Sequence, residues 1–202
     1  MAFPAFYAQV PCISLHDPLA ELLGAAADGR IVYSYADAVR LAGHSCPTVA
    51  GAYLLAVRML RRLCGNALPE RGGLRVDFRA AQGDGVTGVI ASVFGLLTGA
   101  AGDGGFKGLA GRYGRRSLLA FAVTDVPGDV RLTRLGDGAS VSASLDLSCL
   151  PGDPELSRLL GSVLAGNAEA AERMAFAERW QARVQRLLLD FFDDPQVVRF
   201  FP

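Results

Sequence analysis

The chain has 202 residues, 51% of them apolar, and its twenty basic side chains balance twenty acidic ones. That is long and apolar enough to bury one full core, and a formal charge of zero offers no general attraction to a nucleic-acid backbone or an acidic membrane surface. No charge-free apolar run reaches the ~18 residues of a membrane span, and the N-terminus lacks the basic and then apolar pattern of a secretory signal.

The expectation is therefore a cytoplasmic protein with neither membrane nor nucleic acid as partner. Cys12, Cys46, Cys64 and Cys149 form no Cys-x-x-Cys pair, which in a reducing compartment predicts thiols rather than a disulfide framework.

In chain order, an extended arm with Pro4 and Pro11 leads to Asp17-Pro18, an N-cap followed by a first helical residue. Leu19, Leu22 and Leu23 then predict a helix to about residue 27. Ser34 caps a second short helix that Gly43 ends in the left-handed conformation. Across residues 47–63 the only charges are Arg58, Arg61 and Arg62, whose spacing confines them to one narrow face of an otherwise buried helix.

Leu74, Val76 and Phe78 alternate with Arg75, Asp77 and Arg79, which predicts a half-buried strand. Residues 86–98 carry no charge and are too many for most strands, so they predict a buried helix. Three runs follow, at 117–124, 130–135 and 139–145. The turns between them, Pro127-Gly128-Asp129 and Gly136-Asp137-Gly138, predict hairpins and an antiparallel meander. If the strands around Val76 and Leu119 share a sheet, the helix between them makes the pair parallel. Helices from Pro154 and across 168–191 then form a hairpin that packs on the same core or on a second copy of the chain.

The fold class is α+β: an α-β-α-β-β-β core in residues 1–150 with a mixed sheet covered by helices, extra N-terminal helices, and a helical extension over 151–202.

The chemistry concentrates at Gly43-His44-Ser45-Cys46-Pro47. Pro47 suits the first helical position, which makes Cys46 the N-cap and puts His44 on the approaching turn. A thiol at a helix N-terminus is favoured as thiolate, the form that binds metals, and His44 offers an imidazole nitrogen. One sulfur and one nitrogen suit a divalent transition metal, zinc first. The plainer alternative is that His44 bonds a backbone carbonyl while Cys46 is a small cap.

This string, with Ser34-Tyr35 before it, Gly51 and a buried helix after it, and later Leu97-Thr98-Gly99 and Gly104-Gly105-Phe106-Lys107-Gly108, resembles the His-x-Cys-Pro signature of the FmdE family, named for a component of formylmethanofuran dehydrogenase. The resemblance spans about residues 41–145. It implies an α-β-α core followed by three strands, a homodimer and a bound metal, often zinc, with His44 and Cys46 as ligands. Ala42 stands where many members carry a second histidine, and Ala81, Gln82 and Asp84 stand where some carry a cysteine. His16 is the remaining histidine that can complete the ligand set.

The glycine run 102–108, with Lys107, Arg112, Arg115 and Arg116, is either a flexible connector or a site for a phosphate-like or carboxylate anion. Arg79, Gln82 and Asp84 follow the first strand of the core, where an open sheet presents side chains to a crevice. Lys107, Arg79 and Gln82 are accordingly the candidates for binding a small anionic ligand. Three functions remain open on these grounds: a metal-binding accessory or small-molecule-binding component of redox or one-carbon metabolism, a metal-dependent enzyme acting on a small anion, and a metal-free thiol enzyme with His44 as base for Cys46.

Overall fold

The computed structural model describes residues 3–202, and the architecture is α+β. A five-stranded mixed sheet of order β4-β3-β5-β6-β7 is built from β3 (Leu74–Phe78), β4 (Leu119–Ala120), β5 (Val130–Arg134), β6 (Ser140–Leu145) and β7 (Val198–Phe201). A separate antiparallel ribbon pairs β1 (Ile13–His16) with β2 (Arg30–Tyr33). The helices are α1 (Pro18–Leu22), α2 (Tyr35–Ala42), α3 (Pro47–Cys64), α4 (Thr87–Thr98), α5 (Pro154–Leu164) and α6 (Ala170–Leu189).

The register explains the alternation in β3. Leu74, Val76 and Phe78 lie on one face with Leu132 and Val130 of β5, while Arg75 and Asp77 share the other with Thr133 and Arg131. Helices α3 and α4 cover the apolar face, and Phe78 meets Phe94 of α4 edge to face with centroids 5.6 Å apart. On the opposite face Asp77 is buried by ion pairs to Arg75 at 2.8 Å and Arg131 at 3.3 Å.

The helix boundaries follow local chemistry. Asp37 accepts the Ser34 backbone N–H and hydroxyl, both at 2.8 Å, at the start of α2, and Gly43 ends that helix at φ 75°. Pro47 opens α3, whose buried residues run from Val49 to Leu60 around the partly exposed Arg58. The charge-free run is the helix α4, and it carries the chain from β3 to β4, which pair in parallel with Val76 opposite Leu119.

Four expectations need correction. The three strands after α4 are not a meander: β5 and β6 form the expected antiparallel hairpin, but β4 lies on the far side of β3 and spans two residues. Ser117 and Ala122, at φ 57° and 56°, bend the chain out of the strand at both ends. The helix expected over 18–27 ends at Leu22, and the expected extended arm contains a 3-10 turn at Ala5–Gln9 and the strand β1. Finally, Val198–Phe201 is a fifth strand, with Phe200 opposite Ala143 and Phe201 opposite Ser142. The segment after residue 150 thus shares the core, contributing Val184, Leu187, Leu188, Phe192, Val197 and Val198.

Candidate functional site

A cleft of about 590 Å³ opens at the carboxyl end of β3. Leu55 of α3, Phe78, Ile90 of α4, Val130, Leu145 and Leu147 supply apolar walls. Arg79, Asp129, Thr48 and Thr87 are the polar groups at its margin. Thr48 is the second residue of α3 and Thr87 the first of α4, so two helix N-termini border one space. Each carries the partial positive charge of a helix start; the α4 N-cap, Val86, offers no side-chain cap, and the Thr87 N–H donates to the Asp84 carbonyl at 3.0 Å.

Arg79 reaches this place because β3 ends one residue earlier, and its backbone N–H donates to the Asp129 carbonyl at 3.0 Å. Its exposed guanidinium joins none of the ion pairs found among the described residues. The Asp129 carboxylate accepts the Leu145 N–H at 3.1 Å. One cation, Arg79, and one carboxylate, Asp129, neither in an ion pair among the described residues, thus stand at the margin of an apolar space that two helix starts border.

The Gly43–Pro47 turn lies at the start of the same α3 but is held from the other side. Ser45 is its anchor: the carbonyl accepts Trp180 Nε1–H at 2.9 Å, and the hydroxyl bonds Gln181 Oε1 at 3.1 Å and the Tyr35 hydroxyl at 2.8 Å. Burial of Tyr35 pushes its phenol above the ordinary range, so it stays a neutral hydrogen-bonding group at any physiological pH.

His44 is exposed, and its Nδ1 donates to the Ala42 carbonyl at 3.0 Å. The ring lines a shallow depression of about 170 Å³ with Leu41, Ala42, Val89, Ser92 and Val93, to which Cys46 does not contribute. Cys46 Sγ accepts the Val49 N–H at 3.4 Å as a weak helix cap. The hydrogen bonds of the two side chains therefore point to backbone rather than to each other.

Of the other sequence candidates, His16 is the end residue of β1, and its Nε2 lies 2.8 Å from Glu21 Oε2. Lys107 is exposed on the loop before β4, and Gln82 is exposed on the turn after β3; neither lines the cleft. Among these candidates the structure brings only Arg79 to the cleft. Thr48, Thr87 and Asp129 carry no chemical signature in the sequence, only a positional one: each sits at or next to the start of an element converging on the end of β3.

At the turn, His44 retains Nε2 and Cys46 its sulfur; no group of three or more His, Cys, Asp or Glu side chains able to hold an ion occurs among the described residues, and a structural zinc takes four protein ligands and a catalytic one three. Among the described residues, no helix is long and apolar enough to cross a membrane. Compared with known proteins, the chain matches no family model, no curated protein and no solved structure.

Proposed function

We propose that this protein binds a compact organic anion with an apolar body in the cleft between α3, α4 and the sheet, its acidic group pairing with Arg79. The observation that carries this reading is the Arg79 guanidinium, in no ion pair among the described residues, at the margin of an apolar space bordered by two helix N-termini. The volume falls within the range of small-molecule pockets, and a few polar groups on apolar walls is the usual composition of such pockets. Amides at helix ends favour an anion, and a guanidinium matches a carboxylate fork. Four free thiols agree with a reducing, cytoplasmic setting.

Titration with benzoate or hexanoate, followed by isothermal calorimetry, tests this. Saturable binding is expected; Arg79→Gln weakens it about tenfold or more, the loss of one charged hydrogen bond, and Leu147→Trp, which fills the cleft, abolishes it. Absence of binding, or binding indifferent to both substitutions, refutes the reading.

A second reading keeps the metal. With Nδ1 committed to the Ala42 carbonyl, His44 Nε2 is left as the lone-pair nitrogen, the tautomeric arrangement usual in metal-ligating histidines. In this reading His44 and Cys46 give a zinc ion two ligands, and water, a small ligand or a second copy in a homodimer supplies the rest. The protein is then an accessory component of redox or one-carbon metabolism, as the FmdE resemblance implies. Metal analysis of protein purified without an affinity tag decides it: stoichiometric zinc lost in both His44→Ala and Cys46→Ser is the expected result, and metal-free native protein sinks it.

A further inference from the structure

We infer a second binding site, for a phosphate-type oxyanion, in the depression of about 440 Å³ where Arg71, Arg112 and Arg115 meet beside the start of α1.

Its floor is an unbalanced ion cluster. Asp17 is 3% exposed, and its carboxylate is fully used: Oδ1 accepts the Leu19 and Ala20 N–H groups and Arg115 Nη2, and Oδ2 accepts Arg71 Nη1. One carboxylate thus serves two guanidiniums. Glu70 also lines the depression but is exposed and makes no ion pair with them, and Arg112, stacked 5.4 Å over the Tyr113 ring, adds a third guanidinium. Three positive charges face two negative ones, one of them in solvent.

The second observation is a missing acceptor. Arg115 is 7% exposed, and its Nη1 is the one buried side-chain nitrogen or oxygen without a hydrogen-bond partner among the described residues. A buried unmade hydrogen bond is costly and calls for an occupant. Nη1 packs against Gly72 and close to Gly99, so this edge of the guanidinium is held under the wall of the depression that Gly72 and Arg115 form, its charge uncompensated by any hydrogen-bond acceptor among the described residues. Arg71 spends Nε and Nη2 on the Leu96 carbonyl, which fixes its plane and leaves its charge at the site. The loop bearing Arg112 and Arg115 is shaped in advance by the Leu109–Arg112 backbone pair and by Arg115 N–H donating to the Phe106 carbonyl. The exposed Arg112 guanidinium offers an open fork for the oxygens of a phosphate group, free or carried on a small molecule, while Arg71 and Arg115, engaged with Asp17 and Leu96, supply positive charge behind it. This inference is independent of the cleft.

Titration of the full chain with inorganic phosphate in low-chloride buffer, read by calorimetry and ³¹P NMR, tests it. One saturable site is expected. Exposed Arg112→Gln should weaken it about tenfold or more without changing the circular dichroism spectrum; Arg112→Lys, which keeps the charge but loses the fork, should weaken it as well. No saturable binding at millimolar phosphate, or binding unchanged in Arg112→Gln, overturns the proposal. A loss in Arg79→Gln as large as that in Arg112→Gln also overturns it, because the anion would then sit in the cleft.

Discussion

Asp17→Ala is expected to destabilise the protein by about 3–5 kcal/mol, because it removes the carboxylate that, among the described residues, pairs with the largely buried Arg71 and Arg115 guanidiniums. The same substitution deletes the N-cap of α1 and leaves two amides unsatisfied. Urea denaturation at pH 7 measures the loss, and a midpoint shift worth under about 1 kcal/mol would contradict the assignment.

The pH dependence has a definite sign. Burial alone would raise the Asp17 carboxyl, but the Arg71 hydrogen bond, the Ala20 N–H and the charges of Arg115 and Arg71 together outweigh it and hold the group below the ordinary carboxylate range. A lowered folded-state value means the contribution is present above the unfolded value near pH 4 and is lost as the pH falls through the folded one. Wild-type stability should decline below about pH 4, and Asp17→Ala should flatten that decline without abolishing it. Asp137, drawn down to about 2 by Arg134 and the Ala139 N–H, retains its own dependence in the variant.

Gly72→Ala, a change of one methyl group, is expected to cost about 3 kcal/mol or more. Gly72 holds φ 88°, where an L side chain costs about 1–2 kcal/mol. A Cβ there would also fall within the Arg115 guanidinium and force it off Asp17. Since both substitutions dismantle one ion cluster, the double variant should lose clearly less than the sum of the singles. Full additivity in denaturant melts would show that Gly72 does not act through Arg115.

What the sequence reveals depends on how far each signal reaches. Pro47 and Gly43 act on their immediate neighbours, so the start of α3 and the end of α2 were legible from them. The charge-free run 86–98 was too long for a strand, and a helix there made β3 and β4 a parallel pair. The partner of β4 was set by β3, more than forty positions away, whereas the Pro127-Gly128-Asp129 turn suggested a local partner that the chain does not use. Asp17 was visible as a cap, but its arginines lie 54 and 98 positions along the chain. Arg79 was legible because a charged residue ending an alternating strand has a predictable place; the threonines opening α3 and α4 were not, since threonine marks many helix starts.

The sheet is completed by a segment that arrives only after α5 and α6 have been made. Until then β6 presents bare amides and carbonyls along one side while its other side is already zipped to β5, a template for wrong pairing with a neighbouring chain. A chain ending before Val198 would leave that edge of β6 open, and is expected to self-associate where the full chain does not, which light scattering of the two measures.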